Sequence, residues 1–130
     1  MITSREVSER KLTLEQAKRL AAKMPDVFIF SQNGSDWEFF ERSTSHCLSN
    51  IYGMLQSTLD GNVAIAKAMG YELWVEPEWS VNGTFLGWRA QSVLVGTSQA
   101  QKTLTYDFFP TQLLASDAGL SEVVTRKLEE

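Results

Sequence analysis

The stretch from Thr58 to Pro77, TLDGNVAIAKAMGYELWVEP, constrains the fold more than any other part of this 130-residue chain. In its alanine-rich first half Ile65 and Met69 stand at i and i+4, which predicts a helix lying close against a sheet. Gly70 follows the last periodic residue and can adopt the left-handed conformation that ends a helix. Residues 71–76 then alternate at period two, which predicts a strand directly after the helix.

A weaker form of the same block occurs earlier in the chain. When Thr13 is aligned with Thr58, several apolar positions match, among them Leu20 on Ile65, Met24 on Met69 and Phe30 on Val75. An Asn-Gly pair follows each predicted strand, and this pair favours hairpins because both residues tolerate positive φ. Either duplication or chance accounts for the match, and both interpretations predict helix-hairpin units.

Strands that come in turn-linked pairs, with helices between the pairs, predict an α+β fold. We expect a mainly antiparallel sheet of hairpins flanked by about four helices, forming one domain over residues 1–130. The two related units would span 12–57 and 58–128, after a loose N-terminal arm over 1–11. Nine residues on the apolar sides of their periods are predicted to be buried: Leu20, Phe28, Phe30, Leu55, Ile65, Met69, Leu73, Trp88 and Leu104.

Two of the expected helices depend on polar residues that can cap them. The cluster Ser43–Ser45 precedes apolar residues at helical spacing, which are Leu48, Ile51, Tyr52 and Leu55. Near the end of the chain, Ser116 or Asp117 is expected to cap a last helix. The run from Asp26 to Ser31 is apolar on both faces, which predicts a strand covered on both sides or central in its sheet.

Composition excludes several classes of protein. The net charge of −4 argues against nucleic acid as the main partner, and no apolar run is long enough for a membrane span. A single cysteine, Cys47, excludes an internal disulfide and a cysteine-based zinc site, and nothing near Met1 resembles a signal peptide. The expected location is the cytoplasm.

The run from Asn62 to Tyr71, followed by aromatic hairpins and by Asp117–Leu120, resembles small phage-encoded domains described as ABA sandwiches. The resemblance covers about residues 60–128. It implies a three-layer helix-sheet-helix arrangement and a phage or prophage origin, in which case the protein would act in the cytosol of a bacterial host. It implies no residue-level function.

No catalytic motif stands out. His46 and Cys47 are adjacent, but neighbouring residues in a helix do not face each other, so a nucleophilic pair is not expected. The chain has no phosphate-binding glycine loop and no metal-ligand spacing, so we expect no catalytic residues, no metal site and no cofactor.

The predicted site is a protein-binding surface on the strand of the central block. Period two places Trp74 on the same face as Glu72 and Glu76, while Trp79 follows Glu78. Tryptophan anchors rimmed by carboxylates are common at protein interfaces, and the rim implies a partner with a basic surface. The alternative is that Trp74 is covered by a helix and that Trp79 shields a sheet edge.

Two classes of function remain open on the sequence. The first is a non-enzymatic protein that acts by stoichiometric protein binding, such as a phage or prophage factor that inhibits a host defence protein. The second is a small enzyme or ligand-binding domain that uses Asp36, Glu38 or Glu41 in a cleft between the two units. Converging carboxylates with perturbed pKa values would favour the second class, and an exposed tryptophan on a flat surface would favour the first.

Overall fold

Helices and hairpins alternate along the chain in a computed structural model that describes residues 12–96, 102–104 and 108–130. In chain order the elements are α1 (Leu14–Lys23), β1 (Phe28–Asn33), β2 (Asp36–Glu41), β3 (Cys47–Ile51), β4 (Met54–Gln56), α2 (Leu59–Ala68), β5 (Tyr71–Trp79), β6 (Phe85–Leu94), β7 (Lys102–Leu104) and α3 (Gln112–Glu129). The α+β class is confirmed. The N-terminal arm predicted over 1–11 lies outside the described residues.

The helices lie between two antiparallel sheets with strand orders β1-β2-β3-β4 and β5-β6-β7. Helix α1 packs against β1 and β2, α3 packs against β5 and β6, and α2 contacts both β2 and β5. The described residues thus form three helices and two sheets, where about four helices and one sheet were expected.

The core fills the space between the sheets and the helices. Five of the nine residues predicted to be buried are buried in the structure: Leu20, Phe28, Ile65, Met69 and Leu73. Three others, Phe30, Leu55 and Trp88, are half-buried and pack against its margin. The side chain of Leu104 lies outside the described part of the chain.

The first two helices begin and end at positions that the internal alignment sets opposite each other. Each has 10 residues and a threonine N-cap, Thr13 or Thr58, and each has a methionine at its C-cap, Met24 or Met69. Thr13 and Gln16 form the reciprocal capping box that the sequence predicts. The halves then differ, because α1 is followed by four strands, whereas α2 is followed by the second sheet and α3.

The helix expected after Ser43–Ser45 is wrong, because this segment forms the β3–β4 hairpin. Tyr52 and Gly53 have φ of 54° and 75°, so both central residues of the turn are left-handed, as a type I′ hairpin requires. The Asp36 carboxylate also accepts the Tyr52 N–H at 3.0 Å. The helical spacing of the apolar residues was coincidental, since the sheet buries Leu48 but leaves Tyr52 89% exposed.

Two further expectations, the covering of β1 and the start of α3, are corrected by the structure. Among the described strands, β1 pairs with β2 alone and is an edge strand. Ile29 is 40% exposed, so the second apolar face of β1 is not covered. Helix α3 begins at Gln112 with Thr111 as its N-cap, so Ser116 and Asp117 lie inside the helix instead of capping it. Within the described residues, no helix is long and apolar enough to cross a membrane.

Candidate functional site

The five residues of the predicted protein-binding surface all lie on β5, a strand of nine residues. β5 forms the first arm of a long hairpin with β6, and it is buried on the side that faces the helices. Tyr71 and Leu73 supply that buried side. The strand therefore presents its even-numbered residues on the opposite, outer face of the second sheet.

Glu72, Trp74 and Glu76 share this outer face, as the alternation predicts. Helix α3 does not cover it, because α3 approaches the sheet from the other side, where Gly119 meets Leu73. The indole N–H of Trp74 donates to Glu76 Oε1 at 2.8 Å. The Trp74 ring is half-buried, so the outer face presents part of an indole fixed by a carboxylate.

Glu76 is held from the neighbouring strand as well. Gln91 lies opposite Trp74 on β6, and its side-chain amide donates to Glu76 Oε2. Both carboxylate oxygens of Glu76 are thus engaged, while Glu72 remains exposed at the end of the row. Glu78 is half-buried and lies opposite Gly87, beyond this network.

Trp79 does not share the outer face with Trp74. Its ring contacts Phe85 edge-on, with centroids 5.0 Å apart, and Phe85 contacts Trp88 at 5.9 Å. Trp88 lies opposite Pro77 and packs against the core, so this row of three rings belongs to the helix side of the sheet. The structure therefore divides the predicted site into an acidic outer face and an aromatic hairpin tip.

The aromatic hairpin tip comprises Trp79, Phe85 and Trp88. Trp79 is 59% exposed, and two further apolar residues beside it, Val81 and Leu86, are exposed as well. Sequence reasoning missed Phe85 and Trp88 as parts of a site, because their contact with Trp79 depends on cross-strand register and on a bulge between Glu78 and Trp79. The aromatic run TFLGW directly after Asn82-Gly83 was the available signal.

A shallow cleft of about 440 Å³ runs beside the first part of β5. Four consecutive β5 residues line it, from Tyr71 to Trp74, together with Val63 and Lys67 of α2. Consecutive residues of a strand point to opposite faces, so a cleft that touches all four lies along the edge of the strand.

Neither a family model, nor a curated protein, nor a solved structure matches this chain.

The carboxylates of the alternative site do not converge. Asp36 and Glu38 line a shallow cleft of about 370 Å³ at the end of the first sheet, with Trp37 and Ile51 among its other walls. Glu41 lies on the opposite, buried face of the same strand. This cleft belongs to one sheet and does not lie between the two units.

Glu41 holds together the turn that follows β2. Ser43 and Thr44 each donate a backbone N–H and a hydroxyl O–H to its carboxylate, with the two N–H bonds at 2.9 and 2.8 Å. Burial on its own would raise the pKa of Glu41, but these hydrogen bonds outweigh it and lower the pKa to about 2. A carboxylate held this firmly in its ionised form is a turn-forming acceptor and a poor general acid or base.

Cys47 is not an activated nucleophile. It lies on β3, where burial first and the nearby Glu38 charge second raise the pKa of its thiol, against a smaller opposing effect of a hydrogen bond with the Phe39 backbone. A raised pKa keeps the thiol protonated, whereas nucleophilic cysteines need the thiolate. Among the described residues, histidine, cysteine and carboxylate side chains form no group of three or more that suits a metal ion.

Proposed function

We propose that this protein acts without catalysis, by stoichiometric binding to another protein through the β5–β6 hairpin. The observation that carries the proposal is the aromatic hairpin tip, where Trp79 is 59% exposed and its ring contacts Phe85. Tryptophan is the residue most enriched among interface anchors, and exposed apolar rings grouped at one point typically mark a binding surface.

The acidic outer face sets the charge of the proposed partner. Glu72, Glu76 and Glu78 all lie on the strand that ends at Trp79, so a basic protein surface would be steered toward this hairpin. Nucleic acid, which is itself anionic, is disfavoured by the same charges. The narrower form of the proposal is a phage or prophage factor that inhibits a host defence protein in the bacterial cytosol, and it rests on the resemblance of residues 60–128.

Trp79→Ala should weaken partner binding by at least about 1 kcal/mol and leave the melting temperature nearly unchanged, because the ring is exposed and supports little of the core. The partner is first captured from a bacterial lysate on the wild-type protein, and affinities of the variants are then measured with the purified partner. Added salt should slow association, as expected for a basic partner.

The matched control for this substitution is Tyr52→Ala. Tyr52 is an even more exposed aromatic residue, at 89%, but it lies at the tip of the β3–β4 hairpin in the other sheet. Tyr52→Ala should therefore leave the affinity for the partner unchanged. Equal losses with both variants, or unfolding caused by Trp79→Ala, would contradict the proposed site.

A further inference from the structure

The outer edge of β5 pairs with no other strand in the described part of the chain. β5 stands at the end of the order β5-β6-β7, so one row of its backbone N–H and C=O groups points away from the sheet. Exposed strand edges of this kind are templates for an added strand, and many proteins recognise extended peptides in this way.

The hydrogen bonds identify which residues supply the outward row. In an antiparallel pair, residues that exchange hydrogen bonds with the partner strand alternate with residues that do not. The Val95 N–H donates to the Gly70 C=O at 2.8 Å, and the register continues from there without a shift along most of β5. Even-numbered residues therefore bond to β6, and Tyr71, Leu73 and Val75 direct their backbone groups outward.

Pro77 agrees with this assignment. Trp88, which lies opposite Pro77, exchanges both of its backbone hydrogen bonds with Phe109 on its other side, at 2.8 and 2.9 Å. Pro77 thus occupies an outward position, where its missing N–H removes no bond between β5 and β6. It also ends the row of outward donors, so the edge available for pairing runs from Tyr71 to Val75.

The surroundings of this edge suit alternating side chains. On the helix side, Val63 offers apolar contact in the cleft beside Tyr71–Trp74, and the exposed Lys67 lines the same cleft. On the outer side, Glu72 is exposed and offers negative charge, whereas Glu76 accepts from Trp74 and Gln91 and lies opposite Arg89 on β6. An added strand would direct successive side chains to these two sides in turn. Apolar residues suit the first side and basic residues suit the second.

A second copy of β5 fits the edge less well. Two β5 strands paired antiparallel would bring the glutamates of both copies to one face. In the register around Trp74, Glu72 lies opposite Glu76 of the other copy twice, and in the register around Leu73 it lies opposite Trp74. Like charges directly opposite each other destabilise a strand pair. Charge complementarity therefore favours a basic segment of a different protein.

We propose that an extended segment of the partner, with alternating apolar and basic residues, adds to β5 as a further strand along Tyr71–Val75. This rests on the proposed function for the identity of the partner as a basic protein. The aromatic hairpin tip and the strand edge lie on the same hairpin, so one partner can contact both.

The probe for this proposal is a short fluorescent peptide of alternating valine and lysine, with a valine-glutamate peptide of equal length as its control. The lysine peptide should bind the full chain and slow amide exchange at least about tenfold at Tyr71, Leu73 and Val75, whose N–H groups face outward. Exchange at Glu72 and Trp74, which already bond to β6, should change much less. No binding, or protection without this alternation, would overturn strand addition.

Three variants locate the peptide. Val75→Pro removes one outward N–H and should weaken lysine-peptide binding at least about tenfold, whereas Val75→Ala keeps the N–H and should bind nearly as wild type. Glu72→Lys changes an exposed side chain, so it should reduce affinity for the lysine peptide and raise it for the glutamate peptide. Binding that is unaffected by Val75→Pro or by Glu72→Lys would overturn the proposal.

Sedimentation of the wild-type protein without peptide tests the competing occupant. A dimer that forms with rising concentration and protects the same three amides would show that a second copy occupies the edge, and the proposal would fall. If the peptide does not bind but Trp79→Ala still weakens partner capture, strand addition is wrong and the proposed function stands.

Discussion

Glu41→Gln is expected to lower the free energy of unfolding by about 2 to 3 kcal/mol at neutral pH. The native carboxylate accepts two N–H and two O–H groups from Ser43 and Thr44, and these hold its pKa at about 2 against the ordinary 4.5. A lowering of that size corresponds to roughly 3 kcal/mol of stability, because the folded state favours the ionised form. Glutamine fills the same space but loses the charge and turns an amide donor toward other donors.

Glu41→Gln should also remove the part of the loss of stability at low pH that comes from protonation of Glu41. A carboxyl whose pKa is lower in the folded state stabilises the protein fully above its unfolded pKa and loses that contribution as pH falls toward the folded value. The Glu41 contribution is therefore present above about pH 4.5 and declines toward about pH 2. Denaturant unfolding of wild type and Glu41→Gln across this range should show two curves that converge at low pH.

Glu38→Gln supplies the control for this prediction. Glu38 is an exposed glutamate on the same strand, β2, so its replacement should change stability by less than about 0.5 kcal/mol. A constant difference between wild type and Glu41→Gln from neutral to acid pH would show that the carboxylate charge is not what stabilises this turn.

The elements that the sequence predicted well carry complete local signals. Helix α1 has a capping box at Thr13, and α2 begins after Thr58 and ends before Gly70, with Ile65 buried as its spacing indicates. For β5, strict alternation placed Trp74 on the face opposite Leu73. Here local propensity and tertiary packing agree, so short-range reasoning suffices.

The hairpin β3–β4 could not be predicted, because its deciding features are unusual for the residues involved. A tyrosine in the left-handed region at Tyr52 is uncommon, and no local rule anticipates it. Ser43 and Thr44 are good capping residues, but here their hydroxyls donate to the Glu41 carboxylate instead of accepting from a helix. The hydrogen bonds of Ser43 and Thr44 thus stabilise the turn at the end of β2. The helical spacing of the apolar residues that follow pointed to a helix instead.

The candidate site was predicted in part for a related reason. Period two along a single strand gives the face of each β5 residue, but it does not give the neighbours on β6. The bulge after Glu78 sets Trp79 opposite Phe85 and thereby assembles the aromatic hairpin tip away from Trp74. Register and bulges depend on both strands, so the division of the site required the structure.

Gly119→Ala is expected to destabilise the protein by roughly 2 kcal/mol, although alanine is the better helix former by about 1 kcal/mol. Gly119 lies within α3 where the helix crosses β5 and β6. A Cβ at this position would lie 2.6 Å from Leu73 Cδ1 and 2.8 Å from Ala90 Cβ. The Leu73 methyl can rotate away, but the Ala90 Cβ is fixed to the strand backbone, so the helix and sheet must separate.

A double-mutant cycle with Ala90→Gly tests this reason directly. Ala90→Gly alone should cost about 1 kcal/mol, because glycine weakens a strand and removes a buried methyl. In the double variant the missing Ala90 Cβ leaves room for the new one, so the two substitutions should compensate by at least about 1 kcal/mol in denaturant unfolding. Additive losses would mean that the contact with Ala90 does not limit the approach of α3. Leu73, whose Cδ1 lies 2.6 Å from the new Cβ, would then be the contact that excludes a side chain at this position.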